Sequence, residues 1–273
     1  MGDDAATEAH QATEGQRSSR DRSEVRARLE GWLATRLPAG ASPRITSLEG
    51  TSANGMSSET LLFDATWLEE GATRDRRLVA RLAPGAHDVP VFPRYDLGRQ
   101  FEAIRLVGEL TEVPVPPVWW SEPDAAAIGS PFFVMGRVDG RVPPDVMPYN
   151  FGDSWLHDAD ERDQRHLQDA TVDVIGGLHA IDRPAERFAF LAPEMTGATP
   201  LRRRVAVTRD WYDFAAGDGF RSPLVERGFA WLDDHWPADE GDVVMCWGDS
   251  RIGNVLYDEF DPVAVLDWVI GAI

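Results

Sequence analysis

The chain has 273 residues, with 46 Asp and Glu against 27 Lys and Arg, a formal net charge of −19 and one cysteine. This acidic balance disfavours nucleic acid, whose affinity comes largely from phosphate neutralisation, and the single cysteine excludes an internal disulfide framework. No apolar run nears the roughly 20 residues of a membrane span and the N-terminus lacks a secretory apolar core, so a cytoplasmic protein is expected, long enough for two lobes.

Residues 1–22 are polar and read as a disordered acidic tail. From Ser23, Val25, Leu29, Trp32 and Leu33 define an amphipathic helix that ends before Pro38 and packs on the N-terminal half. Ile45 to Leu48 and Thr60 to Trp67 are β-rich runs around a Gly/Ser-rich turn, 50–58. The backbone N–H groups and hydroxyls of that turn could face phosphates, or the stretch could be an ordinary hairpin loop. An exposed turn from Glu69 to Arg77 leads to Leu78–Leu82, an apolar strand carrying Arg81, whose charge is expensive to bury unless paired.

Asp96 to Leu110 shows helical spacing at Leu97, Phe101, Ile104 and Gly108, and the proline-rich run Val113–Val118 ends that helix. Phe132–Met135 is a buried strand that leads into Gly136–Gly140. Two further helical faces are Leu167, Thr171, Val174, Leu178 and Ile181, and Val225, Phe229, Leu232 and Trp236 ending at Pro237. His179 reads as a packed or capping histidine, and no H-x3-H or C-x2-C pairing suggests zinc.

The chemistry is concentrated near the end. Two apolar runs, Val243 to Trp247 and Val263 to Leu266, finish in Gly248-Asp249 and Asp267-Trp268, with Asn254 five residues after Asp249. An Asp here can accept a proton from an attacking hydroxyl, and an Asn on the same loop offers a neutral oxygen to Mg²⁺ without repelling phosphates. Asp267 would add a charged ligand, and Gly248 and Gly253 let the loop turn sharply. Cys246 is expected to be a small buried side chain. Gly248-Asp249-Ser250 also admits an esterase with Ser250 as nucleophile, but that needs a downstream Asp-x-x-His, and none of the 23 residues after Ser250 is His.

The order G-D-x4-N, hairpin, L-D-W, in a match from about Ile45 to Trp268, resembles the aminoglycoside phosphotransferase family of small-molecule kinases, which includes choline-kinase-like enzymes. The resemblance implies an α+β, bilobal protein-kinase-like fold: an antiparallel-sheet nucleotide-binding lobe over 23–135 and a mainly helical catalytic lobe over 136–273, the latter incomplete. It implies ATP as donor, Mg²⁺ on Asn254 and Asp267, Asp249 as catalytic base, and a small-molecule hydroxyl acceptor, which the negative surface would tolerate as a cation. Gly55-x-Ser57-Ser58-x-Thr60 matches the phosphate-loop pattern G-x-S-N-x-T, with Ser58 where Asn is common.

By the same resemblance Arg81 stands at the strand-three Lys position toward the α/β-phosphates. Glu102, preferred to Glu109, is its partner, with a solvated Glu as the alternative. The Gly136 carbonyl and Val138 N–H take adenine. Arg251 falls where many protein kinases place a phosphate-contacting Lys, a surface ion pair being the other reading. Trp247 replaces the usual His. The Cys-Trp-Gly-Asp form resembles a branch related to domains attached to acyl-CoA dehydrogenases, and the indole can pack on Trp268 with its one N–H to donate. In the family the Asp-Trp pair is usually followed by Glu and further helices that form much of the acceptor pocket. Here Val269–Ile273 follows, so a nucleotide-binding pseudokinase or decayed fragment is the alternative expectation.

Overall fold

The computed structural model describes residues 21–50, 58–85, 90–144 and 149–273. Residues 1–20, most of the expected tail, and Gly55 and Ser57 of the expected phosphate loop lie outside the described residues. The chain divides into two units, one formed up to Pro90 together with Pro116–Val138, the other from Val91–Val115 and Asp139–Ile273.

In the first unit, helix α1 (Arg22–Arg36) starts one residue earlier than the sequence suggests, because the Asp21 carboxylate accepts from the Ser23 and Glu24 N–H groups. Strands β1 (Arg44–Gly50), β2 (Glu59–Glu69), β3 (Ala72–Leu82), β4 (Val118–Glu122) and β5 (Phe132–Gly136) form an antiparallel sheet of order β1-β2-β3-β5-β4. Period-two alternation buries Leu61, Phe63, Ala65 and Trp67 of β2 on one face. The Val25, Leu29, Trp32 and Leu33 stripe of α1 shares the core with that face and with Leu78, Ala80, Leu82, Phe132 and Val134. Truncating a side chain as enclosed as Leu29 would cost about 2–5 kcal/mol.

The expected turn from Glu69 to Arg77 is shorter: only Glu70 and Gly71 form it, with φ of 52° and 79°. That backbone twist suits a two-residue hairpin. The charged run that follows is strand, in register from Glu69↔Ala72 to Glu59↔Leu82. Its polar residues hid it from a periodicity reading, yet Arg76 is held over the Trp67 and Trp119 rings and paired with Glu69 at 2.7 Å.

Strand β4 was not expected from the apolar pattern, in which Val118 closes a proline-rich run. Its end is fixed by Glu122, a buried carboxylate that accepts from the Trp32 indole at 2.8 Å, from Asp124 N–H at 2.9 Å and from Arg36. Burial opposes ionisation of Glu122, but these three donors hold its carboxyl below the usual range.

The second unit contains α2 (Leu97–Leu110), α3 (Glu161–His179), the single turn α4 (Pro184–Arg187), α5 (Pro200–Ala216), α6 (Pro223–Asp234) and a hairpin of β6 (Val255–Asp258) and β7 (Asp261–Val265). Helix α2, assigned to the N-terminal lobe from sequence, groups here. The segment after it explains why: Val265 N–H donates to Pro114 carbonyl at 2.8 Å, and a Cβ on Gly177 of α3 would meet the Val113 methyl at 2.9 Å. Its buried face is Leu97, Gln100, Ala103, Ile104 and Val107, with Phe101 only half-buried.

Helix α3 buries Leu167, Thr171, Val174 and Leu178 as their spacing predicts, while His179 is exposed in its last turn. The face predicted on α6 is only partly covered: Phe229 and Trp236 are half-buried, with the Arg209 and Arg202 guanidinium groups over their rings, while Val225 and Leu232 are each 37% exposed. No residue of α5 or α6 is buried, and Leu224 and Trp231 are 70% and 57% exposed. Among the described residues no helix is long and apolar enough to cross a membrane.

Candidate active site

The hairpin positions the site. Antiparallel register pairs Val255 with Val265, so the residue entering β6 and those leaving β7 emerge at one end of the ladder. Asn254 closes a single 3₁₀ turn, Ile252–Asn254, and its carbonyl accepts the Leu266 N–H at 2.8 Å. Asp267 comes next with φ of 57°, a left-handed conformation that Asp tolerates better than most residues and that turns the chain off the strand axis.

Asp249 reaches the same place from the other direction. The Asn254 amide Nδ2 donates to Asp249 Oδ2 at 2.8 Å and to its backbone carbonyl at 3.1 Å. Both partners are acceptors, so the amide must present its nitrogen to Asp249, which turns Oδ1 to the opposite side. Arg251 Nε donates to the same Oδ2 at 3.0 Å, and Arg251 N–H to the Asp249 carbonyl at 2.8 Å. Asp249 is half-buried and Asn254 is 7% exposed. The donors at hand, a carboxamide oxygen and carboxylates, are the hard oxygen ligands that suit Mg²⁺.

Trp247 links the two loops. It is 2% exposed, its ring lies 6.3 Å from that of Trp268, and its one N–H donates to the Leu266 carbonyl at 2.8 Å. The residue before the Gly-Asp turn is thus bonded to the residue before Asp267. Gly248 has φ of 104°, and a Cβ there would lie 2.6 Å from both the carbonyl carbon and the oxygen of Ile270. The expected strand over Val243–Cys246 is instead extended chain with one bridge, Cys246 to Ala272. Cys246 is therefore exposed and not a small core side chain, although partial burial still pushes its thiol up against the lowering effect of Arg204.

Behind the hairpin, Tyr257 is fully enclosed and its hydroxyl meets Thr171 of α3 at 2.7 Å. Burial pushes the phenol up, with the Thr171 bond opposing. Arg141 and Tyr257 exchange both backbone hydrogen bonds at 2.9 Å, and Gly140 leaves room for Leu256, whose Cβ lies 3.0 Å from where its own would stand. This docking went unread in the sequence. Its only signal was Thr171, a hydroxyl on an apolar helical face.

The remaining candidates are placed as follows. Glu102 of α2 is bonded within its own helix to Arg105, at 2.8 and 2.5 Å, and these bonds hold its carboxyl low against the effect of burial. Glu109 takes the same arginine at 2.6 Å. Arg81 lies on β3 of the first unit, opposite Thr60 and Phe133. Gly136 ends β5, its N–H donating to the Pro117 carbonyl at 2.7 Å, and a Cβ there would stand 2.8 Å from the Pro117 ring. Its glycine identity answers to that packing. Val138 follows at the end of the first unit. The Ser58 hydroxyl is buried and has no hydrogen-bond partner among the described residues.

Known proteins resemble this chain in sequence and in fold. The model of the phosphotransferase enzyme family matches residues 59–269. Probable acyl-CoA dehydrogenase IBR3 of Arabidopsis thaliana is 25% identical over 81% of this chain and 26% of that protein. Acyl-CoA dehydrogenase family member 11 of Gallus gallus is 30% identical over 57% of this chain and 18% of that protein. The chain thus spans about a quarter or less of these two curated relatives.

Among solved structures, a Ralstonia eutropha JMP134 protein with a provisional aminoglycoside phosphotransferase name has a TM-score of 0.59 at 22% identity, covering 90% of this chain and 65% of that one. A thermostable mutant of aminoglycoside phosphotransferase APH(4)-Ia, in ternary complex with AMP-PNP and hygromycin B, has a TM-score of 0.52 at 16% identity, covering 89% and 71%. These likenesses carry the bilobal α+β kinase-like fold. With the family model matching well over half its length, the chain belongs to the phosphotransferase enzyme family.

Proposed function

We propose that the chain transfers the γ-phosphoryl group of ATP to a hydroxyl of a small molecule. The observation that carries this reading is Asn254, whose side-chain amide donates to Asp249 and whose backbone carbonyl accepts from Leu266, the residue before Asp267. In this reading Asp249 accepts the proton of the acceptor hydroxyl through its carboxylate. The Asn254 and Arg251 donors on Oδ2 keep that carboxylate in one orientation, leaving Oδ1 to meet the hydroxyl.

Asn254 Oδ1 and the Asp267 carboxylate would hold Mg²⁺, which when bound neutralises charge on the transferring phosphate. Ser58 with Gly55 and Ser57 would contact phosphates, Arg81 the α/β-phosphates, and Gly136 and Val138 the adenine, so that residues 23–135 serve nucleotide binding and 136–273 catalysis. The AMP-PNP and hygromycin B in the named complex of APH(4)-Ia support a nucleotide donor and a small-molecule acceptor.

The test is Asp249→Asn, assayed with Mg-ATP against a panel of aminoglycosides, macrolides, choline and sugars. Turnover should fall by roughly 10²- to 10⁴-fold while nucleotide binding persists, and unchanged turnover would refute the assignment. A second reading, a nucleotide-binding pseudokinase, is favoured by one observation: no residue of α5 or α6 is buried. It predicts a thermal shift with Mg-ATP, about 2.7 kcal/mol at 100 times the dissociation constant, without transfer to any acceptor.

A further inference from the structure

Ile270 is the point where helix α5 and the Gly-Asp turn meet. On one side its carbonyl accepts from Arg204 Nη2 at 3.2 Å, four residues into α5. On the other, its carbonyl carbon and oxygen occupy the space a side chain at Gly248 would need, at 2.6 Å. One peptide group is therefore in contact with a half-buried cation and with the residue preceding Asp249.

The segment around it is fastened to the same turn. Cys246 N–H donates to Ala272 carbonyl at 2.8 Å and Ala272 N–H returns to Cys246 carbonyl at 2.9 Å. Gly271 N–H donates to the Trp268 carbonyl at 3.2 Å. Residues 268–272 thus form a strap against the back of the turn, and the strap carries two attachments: the Cys246 bridge at one end and Arg204 in the middle. Burial lowers the Arg204 guanidinium, with the facing Cys246 thiol opposing, so the cation is held at a cost in solvation that its bond to Ile270 offsets.

We infer that Arg204 is a positioning residue for Asp249: it fixes the Ile270 peptide, which in turn fixes the left-handed turn at Gly248 and the direction in which the Asp249 carboxylate points. The inference rests on the proposed role of Asp249 as base. Its contacts are all within one unit.

The test compares Arg204→Met with Arg204→Lys by two measurements. The first needs no catalysis: hydrogen exchange of peptides covering 244–252 and 266–273 should quicken in Arg204→Met, because a strap released at Ile270 opens the Cys246–Ala272 bridge more often. The second is the Mg-ATP hydrolysis rate with water as acceptor. Displacement of the base by even an ångström costs on the order of 10²-fold, so kcat should drop about 10- to 100-fold with the KM for Mg-ATP unchanged.

Arg204→Lys keeps a charge and one donor and should recover most of both. Unaltered exchange, a fall in kcat matched by a rise in KM, or a lysine variant no better than methionine would overturn the inference. If exchange responds as expected while the parent chain hydrolyses no ATP and transfers to no acceptor, the strap attachment stands and it is the reading of Asp249 as base that fails.

Discussion

Gly248→Ala tests the geometry of the turn directly. The position combines φ of 104° with Ile270 backbone atoms at 2.6 Å from the added Cβ, closer than real Cβ contacts come. A left-handed conformation costs an L-residue about 1–2 kcal/mol, and forcing a methyl against backbone that cannot rotate aside adds about 1–3 kcal/mol. The sum, about 2–5 kcal/mol, is a large share of the 5–15 kcal/mol typical of a domain. At roughly 2–4 °C per kcal/mol for a domain of this size, the melting temperature should fall by about 4–20 °C.

Differential scanning calorimetry of the variant beside Gly176→Ala makes the comparison internal. Gly176 lies within α3 with open space around its missing Cβ, so alanine there should stabilise by about 0.5–1 kcal/mol. If Gly248→Ala melted within about 1 °C of the parent, the contact between the turn and Ile270 would be wrong, and with it the strap.

Trp247→Phe keeps most of the packing against Trp268 but removes the donor to the Leu266 carbonyl; leaving that acceptor unmatched should cost about 1–3 kcal/mol in urea denaturation, and no loss would show that the indole N–H is not what ties the two loops. Glu122→Gln weakens the anchor of Trp32, Arg36 and the Asp124 N–H, with an expected loss at pH 7 of about 1–3 kcal/mol. Because the folded carboxyl titrates below its ordinary value of 4.5, its contribution is complete above that pH and disappears as pH falls through the folded value. Parent and variant stabilities should therefore converge below about pH 4.5, and a constant gap down to pH 2 would remove the ionised carboxylate from the account.

The alternation of Leu61, Phe63, Ala65 and Trp67 and the stripe of Val25, Leu29, Trp32 and Leu33 were legible in the sequence because each pattern reports one apolar face, and the first unit joins the two. G-D-x4-N and L-D-W were legible as well, since both lie beside short apolar strands joined by a two-residue turn, although the one-residue register shift between Leu256 and Tyr257 that sets Val255 opposite Val265 was not. The sequence could not say which way the Asn254 amide faces, that the Trp247 N–H would find the Leu266 carbonyl, or that Gly248 is glycine because Ile270 leaves no room for more. The first depends on how a five-residue loop folds back on itself, and the other two join positions about twenty residues apart, so no local pattern encodes the partner.

The charged half of β3 and the tryptophan-rich β4 were missed for a related reason: their pairing is set by backbone hydrogen bonds and by Arg76 and Glu122, not by apolar periodicity. Helix α6 shows the reverse, with a clear amphipathic spacing but no buried residue. Sequence alone determined which faces are apolar and which residue types stand at the turns. Tertiary structure decided which of those faces are covered and which atoms meet, because burial and hydrogen-bond partnership depend on distant segments arriving at one place.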